Sequence, residues 1–103
     1  MGIGQALYEH ALYDDEGQLI SGSLMDYAMP RASHMSDMDV SFNEVLDPNN
    51  ELGVKGIGEG GACAAPSAVV LAAIDALAHF GVTALDMPMT PERLWRAMQQ
   101  SSA

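Results

Sequence analysis

"GVKGIGEGGACAAP", residues 53–66, places five glycines and two charges, Lys55 and Glu59, ahead of a long alanine-rich run. Three readings of it compete. In the first it is a tight loop entering a helix, with glycines supplying positive φ and Glu59 simply solvated. In the second, Gly56, Gly58 and Gly61 satisfy the G-x-G-x-x-G pattern of dinucleotide binding. Its surroundings argue against that, because "DPNNELGVK" before it is no buried strand, no βαβ unit encloses it, and a carboxylate in the loop would repel a pyrophosphate. The G-x-x-x-x-G-K-[ST] pattern is absent as well. In the third reading the bare backbone exists to present Glu59: glycines on both sides let a bulky ligand approach, and the carboxylate reaches its reactive atom as a general base.

Downstream, the alanine-rich run predicts a helix starting with Pro66 as its first residue, ending near Phe80 and stopped by Gly81. Val70, Ile74 and Leu77 form an apolar stripe, with Asp75 and His79 together off it at i, i+4 spacing. "TPERLWRAM" predicts a second helix, with Thr90 as cap, Pro91 and Glu92 in the first turn, and Leu94, Trp95 and Met98 facing inward. Upstream, "GIGQALYEH" reads as the end of a helix, and "ALYDDEGQLISGS" as a hairpin turning on Asp14, Asp15, Glu16 and Gly17. Those three acids are turn residues and lack the alternating oxygen ligands of a calcium loop. "MDVSFNEV" alternates, with Met38, Val40 and Phe42 opposite Asp39, Ser41 and Asn43, which predicts a strand with one wet face. The expected fold class is therefore α+β: a hairpin plus a third strand with two helices.

Composition limits function. The chain has 103 residues, one domain at most, and a formal charge of −10; a folded monomer of this size buries roughly two thirds of its unfolded surface. Residues 1–52 carry ten carboxylates against Arg31 alone, and the rest carry four against Lys55, Arg93 and Arg96. Such a balance disfavours nucleic acid and anionic membranes as partners, and it directs chemistry to the near-neutral second half. The single cysteine, Cys63, forms no internal disulfide and fits a reducing compartment. "AVVLAAIDALAHF" is short for a membrane span and is interrupted by Asp75 and His79, and no secretory leader is legible, so the expected location is cytoplasmic.

"GVKGIGEGGACAAPSAVVLAAIDAL" followed by "LDMPMTPERLWRAM" resembles the C-terminal end of the large subunit of molybdenum hydroxylases. That group includes xanthine dehydrogenase, aldehyde oxidoreductase and aerobic carbon monoxide dehydrogenase, and the likeness is to the carbon monoxide dehydrogenase type above all. "GQLISGSLMDYAMPRA" resembles the same region, so the likeness covers nearly the whole chain with three motifs in order. It implies that residues 1–103 are a single partial domain, a fragment of a larger molybdenum-cofactor-binding domain, with Met1 where the family tends to have a glutamine. It further implies Glu59 as the catalytic base, deprotonating a molybdenum-bound hydroxyl. Lys55, Gly56 and Gly58 would then lie against the molybdopterin.

The implied cofactor of the complete enzyme is molybdenum-molybdopterin, with none retained by this chain alone and no activity alone. The implied partners are the remainder of the large subunit and the iron–sulfur and FAD subunits or domains. No protein-held metal site is expected, since His10, His34 and His79 lack ligand spacing and Cys63 has no companion thiols for a cluster. The eight methionines are read as core more than as partner surface, Cys63 as structural, and any exposed apolar face as a route to homo-oligomers. A second function class remains open: a small acidic interaction or assembly module that keeps the fold without the chemistry.

Overall fold

The computed structural model describes residues 1–100. Three helices carry it: α1 (Gly2–Leu7), α2 (Gly60–Leu77) and α3 (Pro91–Gln100), with short 3-10 turns at Ala32–His34 and Ala78–Phe80. The long connection between α1 and α2 runs as turns and extended chain.

The expected hairpin and third strand do not form: no β-strand occurs among the described residues. The turn itself is present, with Gly17 at φ 80° and the Asp14 carboxylate accepting the amides of Glu16 (3.0 Å) and Gln18 (2.8 Å). It closes on one isolated bridge between Tyr13 and Leu19. The reason lies at Ser21. Its hydroxyl accepts the Leu12 amide (2.9 Å) and donates to the His10 carbonyl (3.0 Å), so a side chain takes the backbone groups that a longer ladder would need. The alternating segment at 38–45 has no regular structure and no backbone hydrogen bond to another described residue. Periodicity reports which faces a strand would have; it does not supply a partner.

α2 begins six residues earlier than the sequence predicts, so Pro66 is inside the helix instead of first in it. The Glu59 carbonyl accepts the amides of Ala62 (2.9 Å) and Cys63 (3.0 Å), and the good helix formers that follow carry the turn across two glycines. Pro66 is buried, because α1 packs against this first part of α2 so closely that a Cβ on Gly2 would run into the Gly61 carbonyl oxygen, Ala65 and Pro66. The far end of α2 behaves as expected, with Gly81 at φ 80° stopping the chain. With its 3-10 extension the helix spans 21 residues and holds an 18-residue window of mean hydropathy 1.7, enough by length and composition alone to cross a membrane, which the shorter stretch read from sequence did not allow. α3 starts after Thr90, whose hydroxyl accepts the Arg93 amide at 3.4 Å, and Arg93 holds the preceding turn through the Met87 and Pro88 carbonyls (3.1 and 3.2 Å). Trp95 is 58% exposed, not inward as expected.

The core is small. Ala6, Val82 and Met89 are its buried apolar residues, and Met89 is pinned to α1 by its amide donating to the Ala6 carbonyl at 2.7 Å. The accessible surface is 8437 Å², against about 5,600 Å² for a compact monomer of this mass. About half of the unfolded surface is buried, not two thirds. Most methionines likewise stand outside the core, Met25, Met29, Met38 and Met87 all being exposed.

Candidate active-site loop

Residues 55–59 are strung between two anchors. On one side Asn50 clamps Val54 twice, its amide nitrogen donating to the Val54 carbonyl (3.0 Å) and its amide oxygen accepting the Val54 N–H (3.1 Å). Gly53, at φ 65°, turns the chain there, and its carbonyl accepts the Asp47 amide at 3.0 Å. On the other side α2 begins, with Glu59 in the position just before it. The single tie between these anchors is the Gly60 amide to the Ile57 carbonyl at 3.0 Å.

Everything on this loop is exposed. A Cβ built on Gly56, Gly58 or Gly61 meets nothing within 4 Å, so these glycines are not demanded by packing inside the chain. Among the described residues Lys55 forms no ion pair and Glu59 no side-chain hydrogen bond, not even to the helix start beside it. Positive charge on Lys55, open amides at Gly56 and Gly58, and the N-terminal end of α2 give a donor set suited to an anionic, oxygen-rich ligand. Glu59 carries the one carboxylate of this loop, and no group among the described residues engages it. Lys55 and the glycine amides fit the oxygen-rich part of a large cofactor such as molybdopterin, with its phosphate held away from Glu59, over surface that nothing among the described residues covers.

The structure brings Lys55, Gly56, Gly58 and Glu59 onto one exposed loop, as the sequence suggests. It does not enclose them. A cavity of about 410 Å³ lined by Pro66, Val70, Leu71, Leu85 and Met87 lies along α2, and Glu59 is not part of its wall. Asp75 and His79 are both exposed, His79 resting against Phe80 with ring centroids 4.0 Å apart. Cys63 is exposed on α2, not structural filler. No group of three or more His, Cys, Asp or Glu able to hold a metal occurs among the described residues.

Sequence reasoning missed Asn50, the residue that fixes the loop's entry. Its signal was the turn-forming "PNN" ahead of the glycines, read only as a connection. Also missed was Tyr27, whose hydroxyl donates to the Glu9 carboxylate at 2.9 Å and ties the irregular segment to α1. That bond, with some desolvation and the Glu9 charge, raises the Tyr27 pKa above its ordinary value. No spacing rule links residues so far apart in the chain.

The loop, glycine-walled and with one carboxylate at a helix start, lies open on the surface. Similarity to known proteins says which family it comes from. A family model described as a molybdopterin cofactor-binding domain matches residues 1–36. Subunit gamma of the 6-hydroxypseudooxynicotine dehydrogenase complex of Paenarthrobacter nicotinovorans is 43% identical over 99 residues, which is 95% of this chain and 12% of that protein. The carbon monoxide dehydrogenase large chain of Hydrogenophaga pseudoflava is 31% identical over 99 residues, covering 96% of this chain and 12% of that one. Among solved structures, quinoline 2-oxidoreductase from Pseudomonas putida 86 matches 96% of this chain and 13% of its own, with a TM-score of 0.85 at 43% identity. The chain belongs to the molybdopterin-binding large-subunit family of molybdenum hydroxylases, and corresponds to a segment of those subunits. It spans 12% of the length of the curated relatives named above.

Proposed function

We propose that residues 1–103 are a single partial domain that carries the catalytic base of a molybdenum hydroxylase, with Glu59 as that base and Lys55, Gly56 and Gly58 lying against the cofactor. The observation that carries this reading is a carboxylate free of partners on a loop whose glycines face open space. When bound, molybdenum-molybdopterin would supply the two-electron redox chemistry and the oxygen donor. Glu59 accepts a proton at a carboxylate oxygen, Lys55 offsets ligand negative charge, and the missing Cβ atoms at Gly56 and Gly58 admit the ligand to backbone amides. A base so placed contributes roughly 10²–10⁴-fold to rate.

The complete enzyme would pass electrons on to iron–sulfur and FAD partners and act in the cytoplasm, and this chain would be inactive alone. Relatives at 43% identity are named for a nicotine derivative and for quinoline, both nitrogen heteroaromatics, whereas the carbon monoxide enzyme stands at 31%. An electron-poor ring carbon is therefore the favoured site of attack. The same kinship reads the apolar length of α2 as a face covered by protein, with Asp75 and His79 set off it.

One observation favours the second reading, an acidic interaction or assembly module: Glu59 stands on open surface and not in a cleft. The test grafts this chain in place of the aligned residues of the gamma subunit named above. Glu59→Gln in that chimera is expected to keep its molybdenum content while kcat falls about 10²–10⁴-fold. Equal turnover by the two forms would remove Glu59 as base and leave the module.

A further inference from the structure

We infer that residues 38–45 are a donor strand, completed by pairing with a basic-flanked sheet edge on the remainder of the large subunit. The inference rests on the family reading above, which supplies the partner, and it adds the element that docks and the manner of docking.

Three observations converge on it. Within the segment, residues 38–43 alternate apolar and polar, the pattern of a strand buried on one face, yet it is unpaired. No backbone or side-chain group of residues 36–46 makes a hydrogen bond with another described residue, although neighbouring turns are well bonded. Backbone amides and carbonyls left without a partner form a ready template for strand addition. Met38, Val40 and Phe42 are all exposed, Phe42 to 87%, so the face that alternation reserves for a core has no core beneath it.

The area and charge say what covers it. The chain as a whole, and not this face alone, exposes on the order of 2,900 Å² more than a compact monomer of its mass, so surface enough for a standard interface of ~800 Å² per partner lies uncovered. Between Arg31 and Lys55 there is no lysine or arginine, while Asp37, Asp39, Glu44, Asp47 and Glu51 are all acidic. A second copy would set these carboxylates against each other, so homo-oligomers through this face are disfavoured, and a partner edge flanked by basic side chains is favoured.

Residue-resolved hydrogen exchange tests this on the full chain alone, on the full chain mixed with the gamma subunit lacking its aligned residues, and on the covalent chimera, which covers failure of the shortened subunit to fold. Amides 38–45 are expected to exchange freely in the isolated chain. In the assembled forms at least every second one should slow by about 100-fold, the signature of a paired strand. Val40→Pro should erase that protection and weaken association at least tenfold, whereas Ser41→Thr should not. Exchange as fast in the chimera as in the free chain would overturn the donor strand while leaving the family reading intact, because Glu59→Gln and molybdenum content judge that separately. Protection in the isolated chain together with the mass of a dimer would overturn it in favour of self-pairing. Conversely, a protected strand in a chimera whose Glu59→Gln form keeps full activity would sustain the strand and remove the base.

Discussion

Two kinds of glycine meet near the start of α2, and they call for opposite outcomes. Gly2 is required by contact: a Cβ there would lie 2.7 Å from the Ala65 Cβ and 2.9 Å from the Pro66 Cδ, besides striking the Gly61 carbonyl. Gly58 meets nothing. Gly2→Ala is therefore expected to cost about 1–3 kcal/mol by forcing α1 off α2, read as lower helicity and an earlier urea midpoint of the isolated chain. Gly58→Ala should leave that midpoint within about 0.5 kcal/mol and instead lower the molybdenum content of the chimera. A Gly58→Ala chimera with full molybdenum would show that the missing Cβ serves no ligand. At this scale the sequence was legible where chemistry is carried by residue type, as at Lys55 and Glu59. It was silent where a residue acts through a distant partner, as Tyr27 does on Glu9, whereas Asn50 acts on Val54 four residues on and its turn signal was there to be read.

Elements were legible in proportion to how local their causes are. Gly81 stops α2 and Thr90 starts α3 through groups within a few residues, and both are where the sequence places them. The start of α2 was misread because Pro66 is a familiar first residue of a helix. Only the packing of α1 shows that its ring is held deeper, inside the helix. The hairpin was misread for a related reason: alternation and turn residues are local, but ladder length depends on who takes the backbone groups. Here Ser21 takes them. Ser21→Ala should free the Leu12 amide and the His10 carbonyl for backbone pairing, so the Leu12 amide should keep or gain protection in hydrogen exchange while the bonds to the Asp14 carboxylate persist. Exchange at Leu12 roughly tenfold faster in the variant, a local loss of about 1–2 kcal/mol, would show that the hydroxyl holds the turn and does not block the ladder.

For the molecule as a whole, the radius of gyration over Cα atoms is 17.9 Å, against about 13 Å for a compact chain of this length. Small-angle scattering of the isolated chain is expected to return the larger figure and to bind a hydrophobic dye. A value near the compact one would mean that the apolar surface folds in on itself and needs no covering subunit. Net charge and cysteine count described this scale poorly, since neither reports how much core a chain can close by itself. The contact between the Met89 amide and the Ala6 carbonyl has one more consequence, in time instead of space. On a ribosome adding roughly 5–20 residues per second, Ala6 emerges on the order of 4–17 s before its partner is even synthesised. For that interval the acidic, methionine-bearing connection has no closed contact between its ends, so synthesis rate itself sets how long it stays open to chaperones and proteases.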